Sequence, residues 1–320
     1  MTAGDNDNVK QRIRTRPFEN DGDYWRVRNL LIETYPITPT GFNWEIRRWD
    51  GWRYYKEDPS WNPRWEELVH LWFADDDKLV GAVHPEGGGD AHLELHPYYR
   101  DIEEDMVAWA EVHLAVQADE GRRLSIFVLE YDTPRCRLLE KRGYIKTSEW
   151  GVTRRLRFGN RPLPRPVPVE GYALRSTCPD EGDYQRIADV LNAGFGRDRH
   201  TAEEFATFAR FSPSYRHDLN LVAEAPDGSF AALVGVTYDE TNRRGIFEPV
   251  CAHPSHRRKG LARTLMCEGL RRLKSLGAND AYVDSGNAVS PNRLYDSVGF
   301  TEAYRGYIWQ KVLSTTVPSF

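Results

Sequence analysis

The chain has little of what marks export, membranes or metal scaffolds. Its 320 residues include four cysteines, Cys136, Cys178, Cys251 and Cys267, and no two of them stand in a CxxC spacing. That argues against a disulfide framework or a zinc ribbon, so a reducing, cytoplasmic setting with no metal site is expected. There is no signal-like leader and no apolar run of about 18 residues, so neither export nor a membrane span is predicted. Basic excess is missing too. A net charge of −5 and a pI near 6.0 argue against nucleic acid or an anionic membrane surface as partner.

The chain does have the makings of a soluble globular protein, with 40% hydrophobic and 28% charged residues. At this length two domains are the prior expectation. The segment from Phe158 to Glu170 carries Pro162, Pro164, Pro166 and Pro168 and reads as an extended linker. Comparing the halves on either side reveals a repeat. Gly22-Asp23-Tyr24 matches Gly182-Asp183-Tyr184. His96-Pro97-x-x-Arg100 matches His253-Pro254-x-x-Arg257, and Leu138-Leu139-x-x-x-Gly143-Tyr144 matches Leu294-Tyr295-x-x-x-Gly299-Phe300. The offsets are 160, 157 and 156 residues, in the same order, which indicates two copies of one fold. The expected division is a frayed segment at 1–12, a first domain at 13–158, a linker at 159–170 and a second domain at 171–320.

Hydrophobic periodicity assigns the second copy most clearly. Strands are expected at 172–175, at 219–224 and 231–238 (a hairpin about Pro226-Asp227-Gly228), at 246–252 and at 281–285. A helix starts near Asp183. Another places Leu261, Leu265, Leu270 and Leu273 on one face and stops at Gly277, and a short one spans 291–298. Between the strand 246–252 and its helix lies the most informative stretch, His253-Pro254-Ser255-His256-Arg257-Arg258-Lys259-Gly260-Leu261-Ala262-Arg263. A basic glycine turn feeding a helix N-terminus is an anion site, favoured by free N–H groups and the helix dipole. It is neither a Walker loop nor GxGxxG.

Arg257-x-x-Gly260-x-Ala262 after a strand resembles the acetyl-CoA signature of the GCN5-related N-acetyltransferase (GNAT) superfamily. Asn287-x-x-x-x-Asn292-x-Leu294-Tyr295-x-x-x-Gly299-Phe300 resembles that superfamily's second motif. The repeat is similar in architecture to tandem two-domain members of the mycothiol synthase type. The resemblance implies a mixed α/β fold: tandem GNAT units, each a mostly antiparallel sheet whose splayed parallel strands admit the cofactor, flanked by helices. It implies direct transfer of acetyl from acetyl-CoA to a primary amine of a small molecule, by a monomer or homodimer. Two alternatives stay open, a protein or peptide amine as acceptor and a non-catalytic acetyl-CoA or metabolite binder.

Residue roles follow from the same resemblance. Glu248, on the strand before the turn, is the expected general base, because an amine is mostly protonated at neutral pH. Tyr295 is the expected acid for the leaving thiolate. Val250, Cys251 and Ala252 are expected to pair with the pantetheine arm through their backbones. Arg257, Arg258, Lys259, Gly260, Leu261, Ala262 and Arg263 are expected around the pyrophosphate, with Asn287 or Asn292 on the cofactor arm. In the first half Glu103 and Asp105 stand where Gly260 and Ala262 do, and Leu139 replaces Tyr295. Carboxylates at that turn repel a pyrophosphate, so the first copy is expected to be degenerate. Specificity is expected from 192–217 and 301–309, with Arg197, Arg199 and His200 able to meet an acidic acceptor. Seven of the ten tryptophans fall within the first 72 residues and are expected in a core or an interdomain seam.

Overall fold

The computed structural model describes residues 12–55, 65–159 and 162–314. The frayed segment expected at 1–12 (up to residue 11), Trp61, and linker residues 160 and 161 lie outside the described residues. The first half runs β1 (Arg14–Pro17), α1 (Asp21–Thr34), α2 (Ile46–Tyr54), β2 (His70–Phe73), β3 (Leu79–His84), β4 (Asp90–Leu95), α3 (Glu103–His113), β5 (Val116–Ala118), β6 (Gly121–Leu129), α4 (Thr133–Lys141) and β7 (Ile145–Arg157). The second runs β8 (Ala173–Ser176), α5 (Glu181–Phe195), α6 (Ala202–Phe211), β9 (Asn220–Glu224), β10 (Phe230–Asp239), β11 (Arg244–Ala252), α7 (Leu261–Ser275), β12 (Asp280–Gly286), α8 (Val289–Val298) and β13 (Glu302–Leu313).

The repeat is physical as well as textual. In each half the Gly-Asp-Tyr aspartate is buried at a helix start and held by an arginine from the preceding strand. Arg16 makes two bonds to Asp23, at 2.6 and 2.8 Å, and Arg175 makes two to Asp183, both at 2.8 Å. A second arginine three residues on, Arg26 or Arg186, joins each carboxylate. Both carboxylates are pulled below the ordinary range by these partners, against the opposing effect of burial. His96 and His253 each accept a backbone N–H to start a single helical turn after their strands. Gly143 and Gly299, at φ 83° and 109°, each end a helix.

Helix α7 buries Leu261, Leu265, Leu270 and Leu273 as the periodicity predicts. Helix α8 begins at Val289 rather than 291, because Pro291 falls in the first turn, where its missing N–H has no partner to lose. Burial along β10 is nearly continuous, as befits a strand covered on both faces. Helices α5 and α7 both pack on β10 and β11.

One sheet runs through the whole chain in the order β1-β2-β3-β4-β6-β13-β7-β12-β11-β10-β9-β8, with β5 added to β6. At its centre the halves exchange strands. β13, from the end of the chain, pairs antiparallel with β6 from Gly306↔Leu129 to Leu313↔Arg122. β7, from the first half, pairs antiparallel with β12 from Asp280↔Arg157 to Gly286↔Gly151. Their side chains follow. Leu156 and Phe158 fill the core under α7, and Trp309 packs in the core of the first half. Trp49, Trp52 and Trp65 form a third core with Ile246 and Tyr282 of the second half, so the tryptophans serve as both core and seam. Polar ties cross the same seam: Asp50 accepts from Tyr24, Arg28 and Ser214, and Asp280 accepts from Tyr35 and Arg155. No described helix is long and apolar enough to cross a membrane.

Candidate active site

The two parallel strand pairs are the places where the sheet opens. β11 and β12 pair only from Arg244↔Asp280 to Ile246↔Tyr282, and β4 and β6 only at Asp90↔Ser125 and Ala91↔Ile126. Beyond those points the strands part. A cavity of about 830 Å3 reaches both partings and is lined by residues of both halves. Its size is ample for a small organic ligand.

Glu248, Val250 and Tyr295 line this cavity. Glu248 stands where the β10–β11 register slips between Val234 and Val236, so the strand bulges there and its carboxylate is exposed to the cavity. His253 N donates to Ala231 O at 2.9 Å, and antiparallel pairs alternate between bonded and non-bonded. Cys251 therefore shares its backbone groups with Leu233, while those of Val250 and Ala252 turn away from β10 toward the parting. The Cys251 side chain is buried against Gly194 and Val190, and burial pushes its thiol up to about 12, which leaves it unreactive at neutral pH. Tyr295 projects from α8. Burial raises its hydroxyl well above the ordinary value, and the negative charges of Asp284 and Glu248 add to the effect, so it remains a proton donor.

Past β11 the chain makes the basic turn. Arg258 and Gly260 take left-handed conformations, at φ 64° and 85°. Gly260 is the N-cap of α7, and no side chain caps that end, so its first N–H groups are left for solvent or an anion. A Cβ on Gly260 would meet nothing within 4 Å, which leaves open space over the turn. Arg257 is committed to the protein: its guanidinium donates to Ala252 O and Gly194 O, tying the turn to the end of α5. Lys259 lies over the Tyr172 ring. Asn292 is also engaged, accepting from Arg154 and Ser285 and donating to Gly286 O and Ala288 O. Asn287 is exposed just after β12. Neither asparagine is part of the cavity lining, nor are Ala252 and the turn from Arg257 to Arg263.

The equivalent place in the first half is filled by protein. Glu103, at the start of α3, is buried and bonded to Arg100 and Arg135, and Arg100 also reaches Asp132. The carboxylate expected to repel a phosphate thus occupies a helix N-terminus itself, matched by two arginines. Leu139, in the place of Tyr295, is fully buried.

Several cavity groups lie outside the motifs. Asp284 accepts from Tyr282 OH and from Thr153 Oγ1 of β7, each at 2.6 Å, and burial raises its carboxyl. A carboxylate inside the short strand 281–285 was a signal open to sequence reading. Glu45, the N-cap of α2, had no such signal, because capping alone accounts for an acidic residue there. Arg48 bonds Glu86 and stacks on Trp44, whose indole N–H donates to His92 Nδ1 at 2.9 Å. His200 is buried with both ring nitrogens unpartnered, and burial lowers it to about 3, so it is neutral. A neutral imidazole does not contribute the positive charge that an acidic acceptor would need.

Residues 184–300 match the acetyltransferase (GNAT) family. The matched residues all lie in the second half. No functionally curated protein matches the chain. Among solved structures, a GCN5-related N-acetyltransferase from Sphaerobacter thermophilus is 18% identical with a TM-score of 0.62, over 95% of this chain and 98% of that one. A tandem GNAT protein from the clavulanic acid biosynthesis pathway is 16% identical with a TM-score of 0.64, over 94% and 98%. A GNAT-family acetyltransferase from Colwellia psychrerythraea is 12% identical with a TM-score of 0.56, over 94% and 100%. At these identities the likeness is one of fold, and it extends beyond residues 184–300 to nearly the whole chain.

Proposed function

We propose that this protein is an N-acetyltransferase that moves acetyl from acetyl-CoA directly to a primary amine of a small molecule. The chemistry belongs to the GNAT domain, and the first half, degenerate in cofactor binding, forms the opposite wall. One observation carries this reading: the cavity enters the parting of β11 and β12 and meets there a carboxylate, Glu248, and a protonated phenol, Tyr295.

The residues fit the co-substrate. The Val250 backbone groups and the Ala252 N–H, which turn away from β10, suit an extended pantetheine arm, while Ala252 O is taken by Arg257. The uncapped start of α7, with Gly260, Leu261, Ala262 and Arg263 and the exposed Arg258 and Lys259 beside it, suits a pyrophosphate. Acetyl-CoA supplies an activated acyl carbonyl. Glu248 removes a proton from the acceptor's ammonium group, which frees the nitrogen lone pair to form the N–C bond as the C–S bond breaks. The Val250 N–H donates toward the carbonyl oxygen as negative charge develops there. Tyr295 gives its proton to the departing sulfur and regains one from the nitrogen.

Product formation over a panel of small amines tests the proposal, with Glu248→Gln and Tyr295→Phe each expected to lose about 100-fold or more in kcat/KM. Acetylation of at least one amine, with both losses, supports it. Unchanged rates in both variants refute the residue roles. An acceptor found only among proteins refutes the small-molecule assignment, which rests on the size of the cavity and its lining by both halves.

A further inference from the structure

The mechanism above leaves one cavity carboxylate unused. Glu45 is 3% exposed and lines the cavity from the first half. Its Oε1 caps α2 by accepting from Arg48 N at 3.0 Å, while its Oε2 is buried and finds no donor, the side chain within hydrogen-bonding reach being the Glu248 carboxylate, itself an acceptor. The strongest charge acting on it is the Glu248 carboxylate from across the seam. The positive charges around the pair, Arg244 and Arg47, attract Glu45 without bonding it, and the buried Arg244 Nε has no hydrogen-bond partner. Arg244 lies between the Tyr35 and Tyr282 rings, Arg47 lies over Phe208, and Arg48 bonds Glu86. The remaining ionisable neighbours, Asp284 and Tyr282, are bonded to each other. A buried acceptor that the protein leaves unmatched, beside a second carboxylate and open to a cavity, calls for a donor that arrives with a positive charge.

We infer that Glu45 and Glu248 together form the receptor for the acceptor's ammonium group, so that the first half contributes a binding residue to the reaction. The acceptor is then an aliphatic primary amine, protonated at neutral pH, rather than a weakly basic aromatic amine. This rests on Glu248 being the base. Within the pair an N–H bond of the ammonium breaks and an O–H bond forms on Glu248. The electron pair stays on nitrogen, and the surviving negative charge on Glu45 keeps the amine in place. Burial and the neighbouring Glu248 charge both push Glu45 toward its acid form, and an ammonium group between the two carboxylates opposes that push.

Two readouts test the pair, and the first needs no turnover. Infrared difference spectra of the full-length protein labelled with 13C-glutamate should show a protonated carboxyl that titrates well above the usual carboxylate range. That band should disappear when n-butylammonium is added and be absent in Glu45→Gln, which preserves the cap on α2. A band unchanged in Glu45→Gln, or indifferent to n-butylammonium, overturns the inference. The second readout is kinetic, with an aliphatic amine the enzyme accepts. Glu45→Gln should raise KM for the amine at least tenfold and move the acid limb of kcat/KM to lower pH, while KM for acetyl-CoA stays put. If transfer proceeds and neither parameter moves, the pair is wrong although the proposed function stands. If the infrared signature is present and no amine is acetylated, the receptor stands and the proposed function fails.

Discussion

Replacing Asp23 by alanine should destabilise the second half of the molecule as much as the first. Asp23 is fully buried and accepts from Arg16 at 2.6 and 2.8 Å, from Arg26 at 3.0 Å and from Glu19 N at 2.9 Å. Removing one partner of a buried pair costs roughly 3–5 kcal/mol. Arg16 and Arg26 retain some access to water, with side chains 22% and 40% exposed, which places the loss near the lower figure, about 3 kcal/mol. In a chain of this length 1 kcal/mol moves Tm by about 2 °C, so a fall of roughly 6 °C is expected. The exchanged strands determine how the loss spreads. β13 loses one of its two neighbours if β6 leaves, and β12 and β13 each lose one if β7 leaves. Calorimetry should therefore give one transition, shifted as a whole. Amide exchange in β10, a second-half strand that does not touch Asp23, should quicken in step. Two transitions of which only one moves, or unchanged exchange in β10, would refute the claim that the exchanged strands couple the halves.

Two further outcomes can be checked directly. Gly260→Ala adds a Cβ in open space but in a left-handed conformation, so it should cost about 1 kcal/mol in a denaturant titration and leave acetyl-CoA binding largely intact. Gly260→Glu carries the same backbone cost and also puts a carboxylate where a pyrophosphate is proposed, so calorimetric titration should find its affinity for acetyl-CoA lost. Stability should also depend on His200. Its folded-state value, about 3, lies below the ordinary 6.5, so its contribution is complete above about pH 6.5 and is lost as pH falls toward 3, by up to about 1.4 kcal/mol per pH unit. His200→Leu should flatten that limb of the stability curve, and an unchanged slope would remove His200 as its source.

How far the sequence could be read follows from the range over which each feature is determined. Helix α7 was readable because Leu261, Leu265, Leu270 and Leu273 repeat at helical period and Gly277 ends the run, all within one element. The turn before it was readable for the same reason, since strand, basic turn and helix are consecutive. The doubling of the fold came from matched landmarks, and the matched Asp23 and Asp183 anchors show why those residues recur. The strand exchange was not readable. β7 and β13 are long strands, and nothing within either one tells which β6 or β12 edge it will join. Glu45 was missed for a related reason. A carboxylate at a helix start is fully explained by capping, and its arrival beside a residue some 200 positions away is set by the docking of the halves. The tryptophan-rich opening was readable as buried surface, but its contact with Ile246 and Tyr282 was not.

The salt cluster about Glu103 has a consequence for how the two halves came to differ. A helix start and two arginines make a socket that costs stability when nothing negative fills it. In the first half Glu103 fills the socket from within, so that half is complete without any ligand, as if it carried a permanent internal counter-ion. Such a change is hard to reverse. Removing the carboxylate would leave Asp132 as the ion-pair partner of Arg100 and the buried Arg135 among the described residues. Under the proposed function, the carboxylate that closes this helix start to a phosphate is also the one that makes the first half a self-sufficient wall, so a single residue marks the difference between the halves.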